Sequence, residues 1–413
     1  MAKKYYIIVL FLFFYTVSFG QDIKNRIDHI LNSIPPSTKV SVIIYDPISA
    51  KRLYERNPTL PLIPASNTKI YSTAVALSMM GGDYELSTSL LADKNSIDGD
   101  KINGNLYLKG YGNSIFSEND LFKLANELKA KGIKRITGAV LGDDSFFDNV
   151  YTRADWIEDE TQNAPLPSVS ALVLDRNSRA VSVVGRRGRV STKYVSIKDP
   201  PFEIAGLLRD KLIETGIIVD RQYNKGLAPK DAVEVASVRI KLRDLISMIN
   251  KRSDNFLAEC LFKTIGAVSS SIEGNAFYST QAIKTYLKDN NIYCEGTNLC
   301  DGSGLSKNNR TTTASLVGLL EKMYFDLQNY EDFYKSLSVA GEDGTLRKRM
   351  RGDDFKFAGK TGTLNGSSAL SGYITTSSKR DLIISIIFQY ERHADESYKD
   401  LENEIVEIAG DIK

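Results

Sequence analysis

Residues 64–80 read PASNTKIYSTAVALSMM, and Gly81-Gly82 follows them. The apolar run predicts a helix that opens at the Pro-Ala-Ser segment and ends at the glycine pair. Ser66 and Lys69 are three residues apart and so share one helix face, within hydrogen-bond reach. The free N–H groups and partial positive charge of a helix N-terminus suit a nucleophile whose product is an oxyanion. By itself, however, a Ser-x-x-Lys spacing is more often an ordinary solvated helix start.

Lys69 can act as the base only if its pKa falls. A free lysine has a pKa of about 10.4, and a base that works near neutral pH needs a fall of roughly 2–3 units. At 1.36 kcal/mol per unit, that fall corresponds to about 3–4 kcal/mol. Burial together with a nearby cation can supply it. Lys360 is the candidate cation, provided that its strand lies beside Lys69.

Two further short elements can carry chemistry. Ser253-Asp254-Asn255 lies between two predicted helices, where it can also be read as a helix cap. Lys360-Thr361-Gly362-Thr363 lies at the end of a predicted strand. Its cation, two hydroxyls and flexible glycine can bind a carboxylate and let a substrate backbone approach. The alternative for this element is an edge strand with a bulge at Gly362.

The composition excludes several classes of protein. The 413 residues suggest two to three domains, and 53 basic against 51 acidic residues argue against a nucleic-acid binder. With 2 His and 3 Cys, the chain has almost nothing for a zinc site, so no metal is expected. A Ser-His-Asp triad would have to use His29 or His393, close to the two chain ends. The acid–base chemistry therefore falls to Lys, Asp, Glu or Tyr.

The first twenty residues have the pattern of a secretory signal peptide. Lys3 and Lys4 precede an apolar run that is shorter than the ~20 residues of a membrane span, and Ser18 and Gly20 provide small residues before a cut. An uncleaved N-terminal anchor is the alternative. Cleavage removes two lysines and no acids, which leaves a neutral protein that is exported, periplasmic or associated with the cell wall. Any membrane contact is at most peripheral.

An exported protein can form disulfides. Cys294 and Cys300 flank a turn-like stretch, so a disulfide between them is possible. Cys260 lies in an apolar helical stretch and is expected to be a buried free thiol.

The hydrophobic pattern predicts an α+β fold. Both ends of the chain supply a helix and several strands, which predicts an antiparallel sheet of about five strands covered by the two terminal helices. A cluster of helices packs on its other face. The predicted strands are 40–45, 52–55, 355–362, 368–375 and 382–390; the terminal helices are 22–34 and 395–412; the clustered helices include 242–250, 254–265, 274–288 and 313–324.

Residues 83–238 differ from the rest of the chain in their predicted secondary structure, because short strand-like runs alternate there with one clear helix at 118–130. We therefore predict a signal peptide over 1–20 and a catalytic domain split into 21–82 and 239–413. The segment 83–238 is the inserted α+β part, possibly nested in two units.

The order Ser-x-x-Lys, Ser-x-Asn, Lys-Thr-Gly is the signature of serine β-lactamases and penicillin-binding proteins. Over nearly all of the mature chain, the sequence resembles D-alanyl-D-alanine carboxypeptidases/endopeptidases, the class C type 4 penicillin-binding proteins of peptidase family S13. The resemblance extends to residues 170–172 with 175–177, 301–306 with 309–310, 344–346 and 370–373. Residues 110–115 depart from the Gly-rich, Asp-Pro-containing stretch that the family often has, which puts the loop structure of the insert in doubt.

The resemblance implies the serine β-lactamase/DD-peptidase (transpeptidase-like) fold and a mechanism. Ser66 would form an acyl-enzyme with Lys69 as base, and its backbone N–H and that of Thr363 would form the oxyanion hole. The other roles it implies are proton relay by Ser253, positioning of Lys69 and the substrate amide by Asn255, and carboxylate binding by Lys360 and the adjoining Thr361, Gly362 and Thr363.

By the same resemblance, the substrates are peptidoglycan stem peptides ending in D-Ala-D-Ala, and β-lactams inhibit by acylating the nucleophile. No cofactor is implied. A serine β-lactamase is the nearest alternative, against which the long insert and residues 301–310 argue. A non-catalytic cell-wall binding protein is the other, and the complete Ser/Lys/Ser/Asn/Lys set argues against it. The balance between carboxypeptidase and endopeptidase activity stays open.

Overall fold

The computed structural model describes residues 22–156, 166–184, 189–352, 354–391 and 397–413. The predicted signal peptide and His393 lie outside the described residues. None of the helices in these ranges has the length and apolarity needed to cross a bilayer.

The helices are α1 (residues 22–32), α2 (Thr68–Met80), α3 (Glu118–Ala130), α4 (Pro200–Glu214), α5 (Leu242–Arg252), α6 (Asn255–Ser270), α7 (Ala276–Asp289), α8 (Thr313–Tyr324), α9 (Tyr330–Ser336) and α10 (Ser397–Gly410).

The strands are β1 (Lys39–Asp46), β2 (Lys51–Arg56), β3 (Glu85–Ala92), β4 (Ile97–Asp98), β5 (Lys101–Ile102), β6 (Leu106–Tyr111), β7 (Arg135–Ile136), β8 (Val140–Asp143), β9 (Ser178–Val184), β10 (Val190–Ser196), β11 (Ile218–Val219), β12 (Tyr223–Lys225), β13 (Val233–Lys241), β14 (Ser338–Val339), β15 (Lys356–Leu364), β16 (Ser367–Thr375) and β17 (Asp381–Gln389).

The main sheet has the order β14-β15-β16-β17-β1-β2, and every neighbouring pair is antiparallel. The predicted antiparallel sheet is therefore confirmed, with a sixth strand at its edge. That strand, β14, is two residues long. A strand this short has no alternation of polar and apolar residues, so no pattern in the sequence predicts it.

The main sheet is covered on both faces. Along β1, Ile43 packs into a core with helices α2, α5, α6 and α8, whereas Val42 and Ile44 pack into a second core with α1 and α10. Alternate residues of a strand point to opposite faces, so each strand contributes to both cores. Strands β16 and β17 are buried almost throughout, and β17 reads as a nearly continuous apolar run for this reason.

The segment between α2 and α5 forms sheets of its own. Five strands pair in the order β12-β8-β6-β3-β13 and four short ones in the order β11-β7-β5-β4. Helices α3 and α4 share a separate apolar core with these strands. Because β3 pairs with β13 from Glu85↔Lys241 to Ala92↔Val233, the chain enters and leaves this segment at adjacent positions. The pairing supports our proposal that residues 83–238 are an insertion into a split catalytic domain.

Strands β9 and β10 form a separate antiparallel two-stranded sheet within the insert. Most of its residues are exposed.

The possible disulfide between Cys294 and Cys300 is not formed in this structure, because both residues are free thiols. The Cys300 sulfur accepts a hydrogen bond from Asn298 Nδ2 at 3.2 Å, and Cys294 Sγ donates to the carbonyl of Ile292 at 3.8 Å. Backbone pairing between Asn298 and Arg310 closes this stretch instead. Cys260 is a buried free thiol, as predicted.

Candidate active site

Ser66 lies in a 3-10 turn, Ala65–Asn67, that leads directly into α2. The predicted helix is thus confirmed, with a tighter first turn. Ala65 has a φ of +47°, in the left-handed region that is costly for a residue with a Cβ. Buried hydrogen bonds hold this turn: Asn67 Nδ2 donates to Ser371 Oγ at 2.9 Å, and Thr68 Oγ1 donates to the Ala65 carbonyl at 2.9 Å. The serine is therefore fixed at the helix start while its side chain stays partly accessible.

Lys69 is fully buried beneath Ser66. Its Nζ lies 3.1 Å from Ser66 Oγ, 2.7 Å from Asn255 Oδ1 and 2.5 Å from the Ser303 carbonyl oxygen. Burial lowers the pKa of Lys69 to about 8, against the opposing effect of the nearby carboxyl groups, of which Asp301 is the strongest. The neutral amine is therefore accessible near physiological pH, which is the form that can accept the proton of the serine hydroxyl.

Lys360 is the second buried lysine of the site. Its Nζ donates to Ser253 Oγ at 2.8 Å and to the Thr361 carbonyl at 2.7 Å. Burial, and after it the positive charge of Lys69, holds the pKa of Lys360 well below its usual range. Lys360 lies near Lys69, as expected. However, it is the charge of Lys69 that lowers the pKa of Lys360. The pKa of Lys69 is lowered by burial.

The Ser253-Asp254-Asn255 element is both a cap and part of the site. Asp254 caps α6, because its Oδ1 accepts from the Leu257 N–H at 3.1 Å. Ser253 ends α5 with a φ of +54°. This left-handed residue turns the chain sharply, so the side chains on either side of Asp254 reach the two lysines. The cap and the chemical interpretation of this element are therefore compatible.

The Lys360–Thr363 element lies on β15, whose pairing with β16 is continuous from Lys356 to Leu364. The alternative of a bulge at Gly362 is therefore wrong. A Cβ at Gly362 would lie 2.7 Å from the Pro64 carbonyl and 3.1 Å from the Ser66 nitrogen. Glycine is needed here because β15 approaches the Ser66 turn so closely. Thr363, whose backbone N–H is the second predicted oxyanion donor, is the next residue on this strand.

The outer edge of β15 is open next to the nucleophile. Among the described strands, β14 pairs with β15 only at Ala358 and Gly359. The side chain of Thr363 is exposed, and Thr361 Oγ1 donates to Thr345 Oγ1 at 2.8 Å. An extended peptide could lie along this edge, with its end near Lys360.

The sequence interpretation did not predict the Ser303 carbonyl as a partner of Lys69. A side chain of α6 holds this carbonyl in place: Glu259 Oε1 accepts from the backbone N–H of Gly302 at 3.1 Å and of Ser303 at 2.8 Å. A carbonyl oxygen belongs to every residue type, so the sequence carries no signal for it. The acidic residue Glu259 among the buried apolar residues at the start of α6 was the available clue.

Asp301 fixes the same loop from its other side. Its oxygens accept from the N–H groups of Gly304 at 2.8 Å and Ser306 at 2.7 Å, and from Asn309 Nδ2 at 2.8 Å. Burial raises the pKa of Asp301, and burial together with the charge of Asp301 raises that of Glu259. The two carboxyl groups thus hold the loop that contacts Lys69 in a fixed position and favour the positive charge of Lys69.

Across the part of the chain that the structure describes, no group of three or more His, Cys, Asp or Glu side chains is arranged to hold a metal ion.

A serine with a buried lysine beside it, on an antiparallel sheet backed by helices, defines the class of serine hydrolases that includes the penicillin-binding proteins and serine β-lactamases. Within this class, the model of the D-Ala-D-Ala carboxypeptidase 3 (S13) family matches residues 23–192 and 184–411. The chain belongs to this family of serine peptidases, as its sequence motifs predict.

Individual relatives agree with the family assignment. The chain is 27% identical over 424 residues to a D-alanyl-D-alanine carboxypeptidase of Actinomadura sp. (strain R39), a match that covers 86% of this chain and 78% of that protein. It is 22% identical over 411 residues to the D-alanyl-D-alanine carboxypeptidase DacB of Haemophilus influenzae, with 85% of each covered.

The fold is also that of a solved relative. The crystal structure of penicillin binding protein 4 (dacB) from Haemophilus influenzae superposes with a TM-score of 0.75 at 20% identity, and covers 93% of this chain and 97% of that one. A second structure of the same protein is a complex with a β-lactam, with a TM-score of 0.72. The expected DD-peptidase fold class is confirmed.

Proposed function

We propose that the protein is a D-Ala-D-Ala carboxypeptidase and/or DD-endopeptidase that cleaves peptidoglycan stem peptides through an acyl-enzyme on Ser66. The observation that carries this proposal is the fully buried Lys69, whose Nζ lies 3.1 Å from Ser66 Oγ. Family membership supplies the substrate class, and this geometry supplies the nucleophile and its base.

In the acylation step, Ser66, Lys69 and Ser253 each have one role. Ser66 Oγ attacks the carbonyl carbon of the D-alanyl-D-alanine bond while its proton passes to Lys69 Nζ. The N–H groups of Ser66 and Thr363 stabilise the resulting oxyanion, an effect that is commonly about 3–4 kcal/mol for one donor. The C–N bond then breaks, and the proton held by Lys69 passes through the Ser253 hydroxyl to the leaving amine, which returns Lys69 to its neutral form. Lys360 contacts Ser253 Oγ at 2.8 Å.

Deacylation reverses the proton flow. A water molecule loses its proton to Lys69 and attacks the ester carbonyl, and Ser66 leaves as the free hydroxyl. Asn255, 2.7 Å from Lys69 Nζ, keeps the amine pointed at the reacting centre in both steps.

The terminal carboxylate of the substrate is bound at the open edge of β15. Lys360 supplies an amine donor there, Thr361 and Thr363 supply hydroxyl donors, and Gly362 allows the substrate backbone to approach. β-Lactams present a carboxylate next to a reactive amide and would acylate Ser66 in the same way. The β-lactam complex of the similar Haemophilus influenzae protein supports this expectation.

The site of action we propose is outside the cytoplasmic membrane. Residues 1–20 have the charge, apolar run and small residues of a signal peptide. Export to the periplasm or cell wall would bring the enzyme to its peptidoglycan substrate.

The nucleophile is tested by labelling with a fluorescent penicillin. Ser66→Ala should abolish labelling, because the acyl acceptor is removed. Ser78→Ala is the matched control: it changes a serine near the far end of the same helix, where Oγ lies 3.0 Å from the Tyr286 hydroxyl oxygen. Labelling that survives Ser66→Ala would refute the proposal.

The reaction is tested on purified cell wall. Mass analysis of the digest separates the release of D-alanine from the cleavage of cross-links, and so distinguishes carboxypeptidase from endopeptidase activity. If an enzyme that is labelled by penicillin produces neither free D-alanine nor cleaved cross-links, the proposed substrate is rejected. Rapid turnover of a chromogenic cephalosporin would instead indicate a β-lactamase.

A further inference from the structure

The insert contributes a strained turn close to the proposed active site. Asp175, Arg176 and Asn177 have φ values of +44°, +61° and +49°, three consecutive left-handed residues without a glycine. Such a conformation costs about 1–3 kcal/mol per residue and persists only where the surroundings enforce it. Asn177 is fully buried and does so: Oδ1 accepts from the Leu174 N–H at 3.0 Å, and Nδ2 donates to the Ser168 carbonyl at 2.9 Å.

The turn presents the Arg176 side chain to Asp254. Both terminal guanidinium nitrogens donate to the carboxylate, with Nη1–Oδ2 at 2.6 Å and Nη2–Oδ1 at 2.9 Å. The guanidinium also lies over the Phe256 ring, 5.2 Å from its centroid. A bidentate Arg–carboxylate pair fixes orientation as well as distance. Asp254 is thereby held between the insert and the first turn of α6.

Asp254 is the residue between Ser253 and Asn255, whose side chains contact Lys360 and Lys69. Its carboxylate also opposes the burial effect by raising the pKa of Lys69. The other charged groups that face Lys69 are Glu259 of α6, Asp301 of the adjoining loop and Lys360 of β15. Among these acids, Asp254 is the one that Arg176 neutralises.

We infer that Arg176 is a positioning residue for acylation, supplied to the catalytic domain by the insert. It holds Asp254 so that Ser253 and Asn255 face the two lysines, and it screens the charge of Asp254 from Lys69. This inference rests on the proposed function. It gives the insert a part in the reaction without direct contact between Arg176 and the substrate.

The test compares Arg176→Met with Arg179→Met in the full-length protein. Arg179 is three residues further on and makes an exposed ion pair with Glu203, so it is the matched control. We expect Arg176→Met to lower the maximal rate of acylation by a fluorescent penicillin about tenfold to a hundredfold, since small misplacements of reacting groups have effects of this size. The acid limb of its pH–rate profile should move to higher pH. Arg179→Met should leave both unchanged.

The double variant Arg176→Met/Asp254→Asn separates the screening from a general loss of structure. Asparagine caps a helix about as well as aspartate but carries no charge. We expect the acid limb to return towards its wild-type position. A wild-type rate and profile in Arg176→Met would overturn the inference, as would an acid limb that Asp254→Asn does not move.

If Arg176→Met does not fold, Arg176→Lys is the variant that tests the inference. Lysine keeps the charge but not the planar fork, so we expect slower acylation with an unshifted acid limb. A wild-type rate in Arg176→Lys would then overturn the inference. Loss of labelling in Ser66→Ala, alongside a wild-type Arg176→Met, would reject this inference and leave the proposed function standing.

Discussion

Lys69 is placed under opposing electrostatic demands. Its side chain is fully buried and donates to three oxygen atoms, while buried carboxyl groups lie close by. Burial favours the neutral amine, and the carboxyl groups favour the ammonium. The balance leaves a residue that can exchange a proton near neutral pH, which is the property that the proposed base requires.

This balance predicts the pH dependence of acylation. Because the pKa of Lys69 is lowered to about 8, the neutral amine becomes the major form as the pH rises through that value. The rate of acylation by a fluorescent penicillin should therefore increase between about pH 6 and pH 9 and then level off. A rate that falls over this range would contradict the role of Lys69 as base.

Lys69→Met should abolish acylation while the protein still folds. Methionine has a similar length and removes the cost of burying an ammonium group. The measurements are fluorescent penicillin labelling and the thermal unfolding midpoint. An acylating Lys69→Met variant would refute the assignment, and Ser78→Ala serves again as a folded and active control.

Glu259→Gln tests the carboxyl pair that supports the site. Because the pKa of Glu259 is raised in the folded protein, the native state binds more protons than the unfolded state above about pH 4.5, and stability is lost as the pH rises towards the native pKa. Glutamine does not ionise, so the Glu259→Gln variant does not lose stability in this way. The difference in unfolding midpoint between Glu259→Gln and wild type should therefore become more positive from pH 5 to pH 8. A constant difference would contradict the proposed titration.

The side chains of the three sequence motifs contact one another in the structure. They could be predicted because each motif specifies residue types and a local element. The Ser303 carbonyl and the Arg176–Asp254 pair are different. A backbone carbonyl has no residue type of its own. The ion pair joins residues 78 positions apart, in elements whose relative placement depends on the tertiary fold.

At the level of elements, the close packing of β15 against the Ser66 turn is the decisive contact. Gly362→Ala should force this strand away, since its Cβ would lie 2.7 Å from the Pro64 carbonyl. We expect at least a tenfold loss of acylation rate, because the proposed oxyanion donors on both sides of the contact move apart. Stopped-flow labelling measures the rate.

Gly318→Ala is the matched control for that substitution. Gly318 lies in α8, and a Cβ there would be 3.4 Å from Ile292, an ordinary contact. Alanine is favoured over glycine in a helix by about 1 kcal/mol. The control should therefore keep full activity with unchanged or higher stability. Equal loss of activity in both variants would show that Gly362 has no special role.

The elements differ in how far the sequence predicts them. Long apolar segments such as β17 and α2 are predictable, because a buried run of this length has few alternatives. The strands β4, β5, β7 and β11 have two residues each. Their positions follow from pairing with neighbours in the insert, so local patterns do not reveal them.

For the molecule as a whole, the near-equal numbers of acidic and basic residues predict weak long-range steering. Without residues 1–20 the chain has as many basic as acidic residues, so the field that attracts an anionic β-lactam is local to the two buried lysines. The second-order rate constant of acylation should change less than about threefold between about 0.05 M and 0.5 M salt, because buried charges are screened little. A much steeper decrease would indicate steering by surface charge.

The main sheet was predictable because both ends of the chain supply apolar strand patterns that can pair in one sheet. The nested sheets of the insert were not, since β6–β8 and β12–β8 are parallel pairs formed between distant segments. Pairings of this kind depend on which apolar faces meet, and several arrangements satisfy the same pattern.

The position of β17 in the main sheet has a consequence for synthesis of the protein. This strand, encoded near the end of the chain, lies between β16 and β1, and it pairs Gln389 with Lys39. The nucleophile and its helix leave the ribosome long before this strand and stay without the complete sheet until it has been made, and such non-local pairing is slow. A nonsense or frameshift mutation between Thr363 and Asp381 would therefore eliminate the fold while sparing every proposed catalytic residue.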